Sequence, residues 1–173
     1  MNKFGAVVLE IEQRLQGNMI ELRHSRHTAF YVNELYPHAD DALLIAARGH
    51  DIGKTGSRKY PRNETDRGVF IKKDAAAVAG IMEGNGYEKG VAERARWLIE
   101  NHEKYGPDGG PGLQALQCAD LFDAAVFKVP IRHLEGAEVV QDVLFERIKG
   151  INMVMFSSLE PFIKNPYRCQ DEQ

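Results

Sequence analysis

The sequence predicts an all-α protein. Apolar residues recur at three- and four-residue steps along most of the 173 residues, strand-like alternation is almost absent, and glycine- or proline-rich stretches separate the periodic segments. A hydrophobic content of 43% and a charged content of 27% are ordinary for a globular domain. No boundary signal divides the chain, so we expect a single domain over residues 1–173.

Three helices are expected in the first third of the chain. The first has apolar residues at helical spacing and ends at Gly17. The second covers 19–36 and ends before Pro37, because a proline disfavours helix in the residue before it. The third begins near Asp40 and Asp41, whose carboxylates favour a helix N-terminus, and runs through "DALLIAARGHDIG".

The rest of the chain is predicted as a loop followed by further helices. Residues 54–69 are polar, basic and without a period, which indicates a loop. Five helices are then expected, near 71–83, 88–104, 113–128, 135–149 and 151–164, with "GNGY" and "YGPDGGPG" as breaks. The helix near 135–149 has apolar residues that can pack on the core or form the face of a homodimer: Val139, Val140, Val143, Leu144 and Ile148.

Charge and cysteine content exclude several classes of protein. A net charge of −3 gives no strong signal for nucleic-acid binding. No apolar run approaches the roughly 18 residues needed to cross a bilayer, so no membrane association is expected. The two cysteines, Cys118 and Cys169, have no metal-ligand spacing and favour a reducing, cytoplasmic location.

The stretch "ARGHDIGKTG", residues 47–56, permits two interpretations. Gly53-Lys54-Thr55 is similar to the end of a phosphate-binding loop, but that motif needs four residues between its glycines and a preceding strand. Here Gly49 and Gly53 are separated by three residues, and the segment before them is helix-forming. We therefore favour the second interpretation, in which His50 and Asp51 are metal ligands.

Other potential ligands lie in separate apolar helices. His24 shares a stripe with apolar residues of the second helix, His102 ends the helix near 88–104, and Asp120 lies in "LQALQCADLFDAAVF". A lone carboxylate there is costly to bury unless it is paired or bound to a cation. Each residue has an ordinary alternative as a hydrogen-bonded core or capping group, and His27 and His38 are predicted to be surface or capping residues. Their joint occurrence favours a metal site.

In this order the residues resemble the HD-domain superfamily of metal-dependent phosphohydrolases. "RHSRHTAFYV" resembles the first motif, "AARGHDIGK" the His-Asp doublet and "LQCADLFDA" the distal motif, so the resemblance covers about residues 20–128. It implies an HD-type helical bundle with accessory C-terminal helices at about 135–164. The implied metal ligands are His24, His50, Asp51 and Asp120, with His27 as an alternative to His24.

Two departures from the family pattern indicate a single ion. The fourth helix begins without the usual histidine and offers Asp74 or a lysine, and Asn101-His102-Glu103 stands where many members have His-His. Imidazole and carboxylate ligands suit one divalent ion, which can be Mn, Fe, Co, Ni, Mg or Zn.

The resemblance also implies roles for the residues around the ion. We expect Asp51, Lys54 and His102 to be catalytic, and Lys54, Arg58, Arg62 and His102 to contact a small phosphorylated substrate such as a nucleotide. Asp123 is expected to orient a ligand or cap its helix. The expected function is hydrolysis of a nucleotide or other small phosphate ester; the alternatives are a non-catalytic nucleotide-binding regulatory module and an HD-type oxygenase or lyase.

Overall fold

A computed structural model describes residues 2–55, 64–131 and 136–165, and these form helices joined by turns, with no strand among them. This confirms the all-α prediction. The α-helices are α1 (Lys3–Leu15), α2 (Met19–Leu35), α3 (Asp41–Gly49), α4 (Glu64–Gly84), α5 (Lys89–Asn101), α6 (Gly110–Asp123), α7 (Val129–Ile131), α8 (Ala137–Ile151) and α9 (Met153–Leu159). Short 3₁₀ turns cover Pro107–Gly109 and Glu160–Phe162, and a π-helical segment covers Ala124–Lys128.

Helices α2, α3 and α6 form the centre of the bundle. Helix α2 packs against both α3 and α6, while α3 also packs against α5, and α5 against α4. Tyr31 of α2, Leu43 of α3, Ile99 of α5 and Phe122 of α6 are fully buried in one hydrophobic cluster that extends from α1 to α9. These contacts hold together the helices that carry the predicted ligands.

Polar side chains fix where the first three helices begin. Asn2, Asn18 and Asp40 each accept a hydrogen bond from a backbone N–H of the first turn of α1, α2 and α3. Such caps satisfy N–H groups that have no partner inside the helix. The expected start of the third helix at Asp40 and Asp41 is therefore confirmed.

Helix α4 begins earlier than the sequence predicts. Residues 64–69 were expected to belong to the loop over 54–69, but α4 starts at Glu64. Within α4, the first hydrophobic side chain that is buried is Ile71, so residues 65–70 carry no apolar period that could have revealed the helix. Residues 56–63 lie outside the described part of the chain.

The helices after α6 pack on the bundle formed by the preceding helices. Helix α8 packs against α6, and α9 packs against α2 and α8. Ile148 is buried and Leu144 half-buried, whereas Val139, Val140 and Val143 are exposed. Part of the predicted apolar face of α8 thus packs on the core. No helix in residues 2–55, 64–131 and 136–165 has the length and apolar content to cross a membrane.

Candidate metal centre

The structure brings His24, His50, Asp51 and Asp120 together; we refer to them as the four-residue cluster. His24 projects from the middle of α2, His50 and Asp51 follow the last turn of α3, and Asp120 projects from α6. A tight turn carries the doublet, since Ile52 N–H donates to the Gly49 carbonyl and Lys54 N–H to the Asp51 carbonyl.

Ligand-type atoms within the four-residue cluster lie close enough together to bind one ion. The Nε2 atoms of His24 and His50 are 3.1 Å apart, and Asp120 Oδ1 lies 3.0 Å from the first and 3.4 Å from the second. Asp51 Oδ2 lies 3.7 Å from His24 Nε2 and 3.5 Å from His50 Nε2. Two atoms that bind one ion at roughly 2.0–2.2 Å are at most about 4.4 Å apart. All five separations pass this test.

Hydrogen bonds at the opposite ring nitrogens orient the imidazoles. His24 Nδ1 lies 2.7 Å from Asp123 Oδ2, and His50 Nδ1 lies 3.0 Å from the Ala47 carbonyl oxygen. Because both partners are acceptors, each Nδ1 carries a proton, and in the neutral rings each Nε2 then presents a lone pair. Two lone pairs 3.1 Å apart repel unless a proton or a cation lies between them. Metal-binding histidines are commonly oriented in this way.

Burial makes the carboxylates of the four-residue cluster costly without cations. The side chain of Asp51 is 4% exposed and that of Asp120 14%. Burial alone would raise the pKa of Asp120, but hydrogen bonds from His24 and His50 hold the pKa well below its usual range. Burial acts likewise on Asp51, whose pKa is also held low, by the charges of Lys54 and His50 above all. Both groups are therefore ionised at neutral pH.

Two neighbouring histidines have opposite pKa shifts. Burial would lower the pKa of His50, but the carboxylates of Asp51 and Asp120 raise it to about 9. His102 is buried with its ring centre 5.1 Å from that of His50, and burial and the charge of His50 lower its pKa. His102 Nδ1 donates to the Ile99 carbonyl at 2.6 Å, so Nε2 is the nitrogen available to the site. A nitrogen of His102 lies within 4.8 Å of ligand atoms of His50 and Asp51.

Two lysines contact the same carboxylate oxygen of Asp51. Lys54 Nζ lies 2.6 Å from Asp51 Oδ2, and Lys128 Nζ lies 3.2 Å from it. Lys128 is buried and also pairs with Glu21 at 2.7 Å. Burial would lower the pKa of Lys128, but the charges of Asp51 and Glu21 raise it, which keeps the ammonium protonated. Lys128 and Glu21 were not predicted from the sequence, although a lysine within the apolar "AAVFKVPI" is a signal of the same kind as Asp120.

Asp123 joins two histidines of α2. Its Oδ2 accepts from His24, and its Oδ1 lies 2.9 Å from His27 Nδ1. The expectation that Asp123 orients a ligand residue fits this geometry. The expectation that His27 is a surface or capping residue is wrong, because His27 is 2% exposed and its ring packs edge-on against Phe127. His24, not His27, reaches the four-residue cluster. His38 is exposed.

Other charged residues of the central part of the chain lie apart from the four-residue cluster or outside the described segments. Arg58 and Arg62 belong to residues 56–63. Arg67 pairs with Glu103 at 2.5 Å, one residue beyond His102. Asp74 is buried and packs against Gly53, where even a methyl group would collide with its carboxylate. Asp74 belongs to none of the three groups of potential metal ligands found among the described residues.

Comparison with known proteins gives one match. The family model of the HD domain matches residues 22–125, which contain all four residues of the cluster. Neither the search of curated proteins nor the search of solved structures returned a match to the chain.

Proposed function

The chain belongs to the HD domain family, and on that premise we propose that it is a metal-dependent phosphohydrolase of a nucleotide or another small phosphate ester. The family consists mostly of metal-dependent phosphohydrolases. The observation that carries the proposal is the convergence of His24 Nε2, His50 Nε2 and Asp120 Oδ1 within 3.0–3.4 Å of one another. Buried imidazoles and carboxylates in this arrangement are ligands for a divalent ion.

The four-residue cluster would hold the ion. Its two imidazoles and two carboxylates suit Mn, Fe, Co, Ni, Mg or Zn, and the fit of the separations supports one ion between them. When bound, such an ion supplies Lewis acidity toward a phosphoryl oxygen and makes water more acidic. Asp123 and the Ala47 carbonyl keep the two imidazoles turned toward it.

Lys54 is proposed to meet the charge of the phosphoryl group. Its ammonium contacts Asp51, and the side chain is 22% exposed, so it can turn toward a substrate while it stays close to the doublet. A fixed cation at this place would stabilise charge that develops on phosphoryl oxygens. Arg58 and Arg62, which follow Lys54 in the chain, are proposed to contact the same substrate.

His102 is proposed to move the proton. Its lowered pKa keeps the imidazole neutral, and Nδ1–H is used by the Ile99 carbonyl. Nε2 can therefore accept a proton from the water that attacks phosphorus and return it to the leaving-group oxygen. A neutral imidazole has no proton at Nε2 to donate first, so acceptance precedes donation.

A phosphatase assay with matched variants tests the proposal. The purified protein is loaded with Mn²⁺ and offered p-nitrophenyl phosphate, bis-p-nitrophenyl phosphate and the nucleoside 5′-monophosphates. We expect ion-dependent phosphate-ester cleavage that a chelator abolishes and that His50→Ala loses, whereas the exposed-histidine variant His38→Ala keeps it. Cleavage that survives both His50→Ala and chelation would contradict the proposal. Ion binding without cleavage of any ester would favour the regulatory alternative.

A further inference from the structure

Lys128 places a permanent positive charge inside the candidate metal centre. Its side chain is 10% exposed, and its ammonium lies between Glu21 Oε2, at 2.7 Å, and Asp51 Oδ2, at 3.2 Å. The side chains of both acidic partners are 4% exposed. An ammonium ion-paired with two buried carboxylates has little freedom to leave, because its removal would take a positive charge away from two poorly hydrated acidic side chains.

The carboxylates that Lys128 joins belong to a second group of potential metal ligands. Glu21, His24 and Asp51 have ligand atoms within 4.8 Å of one another, as do the His24, His50 and Asp120 atoms of the first group. The two groups share His24, whose Nδ1 is used by Asp123 and whose Nε2 can bind only one ion. A second ion would therefore be held by Glu21 and by Asp51, a carboxylate that lies beside both groups. The ammonium of Lys128 forms ion pairs with Glu21 and Asp51, two of the three members of the second group.

A local change of helix type directs Lys128 toward the site. Helix α6 ends at Asp123, and Ala124–Lys128 continue as a π-helical turn in which Val129 N–H donates to the Ala124 carbonyl. In a π turn residue i+5 lies about one turn beyond residue i, whereas in an α-helix residues i+3 and i+4 do. Lys128 is five residues after Asp123, so the π turn brings it near the face from which Asp123 reaches His24.

Charge balance favours a single divalent ion beside Lys128. With the histidines neutral, as imidazole must be to bind an ion, the centre holds two ammonium groups, Lys54 and Lys128, and four carboxylates, Glu21, Asp51, Asp120 and Asp123. One divalent ion brings the net charge to zero. A second would leave two uncompensated positive charges in a poorly hydrated site, which is costly.

We infer that the Lys128 ammonium occupies the place of a second metal ion, so that the chain binds one divalent ion instead of two. This rests on the proposed function, since it presumes an ion at the four-residue cluster. Lys128 is a positioning residue in this account: it holds the Asp51 carboxylate and neutralises Glu21. Lys54 contacts Asp51 as well, but its side chain is more exposed, at 22% against 10% for Lys128.

Counting bound Mn²⁺ tests the inference without an activity assay. Full-length protein is saturated with Mn²⁺, freed of excess ion by gel filtration and analysed by mass spectrometry for metal and by amino-acid analysis for protein. We expect one ion per chain in the wild type, two in Lys128→Ala, and one again in Glu21→Gln/Lys128→Ala. The control Lys149→Ala removes a lysine that pairs with exposed Glu146 on α8, and it should keep one ion.

The outcomes separate this inference from the proposed function. One ion in both wild type and Lys128→Ala would overturn the inference alone, as would two ions in the wild type or in the double variant. A wild-type chain without any ion would overturn the metal centre as well. If Lys128→Ala folds only with excess Mn²⁺, we expect two ions in the folded form; failure to fold at any Mn²⁺ concentration would contradict replacement of the ammonium by an ion.

Discussion

Helices α2 and α3 each contribute residues to two charged clusters. In the first, which we call the Glu12 triad, oppositely charged side chains pair with one another; in the second, the four-residue cluster, buried ligand-type atoms face one another. The Glu12 triad consists of Glu12 on α1, Arg26 on α2 and Arg48 on α3. Arg26 Nη2 lies 2.8 Å and Arg48 Nη1 2.7 Å from the Glu12 carboxylate. Each arginine is two residues from a histidine of the four-residue cluster, hence about 200° away around its helix axis.

Every charged group of the Glu12 triad has a partner of opposite charge within the triad. One carboxylate faces two guanidinium groups, and all three side chains keep partial contact with water, at 17–26% exposure. The four-residue cluster is more deeply buried, and its two Nε2 atoms lie 3.1 Å apart beside two ionised carboxylates. Paired opposite charges alone therefore do not mark a ligand site, whereas buried imidazole nitrogens that converge with carboxylates on one point do.

Replacing a ligand should produce the largest difference between the two clusters. Asp120→Asn keeps the shape but removes a charged ligand atom next to both Nε2 atoms. We expect the loss of Mn²⁺ affinity to exceed the roughly 10- to 100-fold that follows removal of a ligand's hydrogen-bonding partner. Isothermal titration calorimetry measures the Mn²⁺ affinity. The unfolding temperature of the wild type should fall on chelation, and that of Asp120→Asn should not change. An equal fall in both would show that Asp120 is not needed for ion binding.

Replacing the acid of the triad should affect stability instead of ion binding. Glu12→Gln weakens charged hydrogen bonds to two arginines and should lower the free energy of unfolding by about 2 kcal/mol. This is below the value for a fully buried ion pair because the triad is partly hydrated. Urea unfolding measures the change, which should be the same with and without Mn²⁺. Glu10→Gln is the matched control, since Glu10 pairs only with exposed Arg14 on α1 among the ion pairs described. A weakened Mn²⁺ affinity in Glu12→Gln would contradict the separation of the two clusters.

The smallest expected effect is the pH dependence of the triad. Burial would raise the pKa of Glu12, but the hydrogen bond and charge of Arg26 and the charge of Arg48 lower it. A lowered folded-state pKa contributes stability above the ordinary carboxyl pKa, and that contribution disappears as pH falls through the folded-state value. The stability difference between wild type and Glu12→Gln should therefore be constant at neutral pH and shrink below about pH 4. A difference that grows on acidification would show that the triad does not stabilise the ionised carboxylate.

The fold and the convergence of the residues proposed as ligands were predictable because both leave local signals. Helical period and capping residues located α1 to α3 closely, since those helices bury a continuous apolar stripe. His24, His50 and Asp120 stood out because each interrupts an apolar segment with a group that needs a partner. The family resemblance, now supported by the match over residues 22–125, gave their order a meaning.

The features that the sequence did not predict depend on contacts between distant parts of the chain or carry no local pattern. His27 is polar, and its burial depends on contacts with Asp123, 96 residues later, and with Phe127. Lys128 reaches Glu21 through a π turn that a regular helical period does not anticipate. The N-terminal part of α4 carries no buried apolar side chain between residues 65 and 70, so no sequence pattern indicated a helix there.

Anomalous X-ray diffraction from crystals grown with Mn²⁺ would locate the ion in the protein. We expect one anomalous peak per chain, bonded to the Nε2 atoms of His24 and His50 and to the carboxylates of Asp51 and Asp120. Crystals of the Asp120→Asn variant grown in the same way should lack the peak. A wild-type chain with no peak at these four side chains, or with its Mn²⁺ bound elsewhere, would show that the four-residue cluster is not a metal centre.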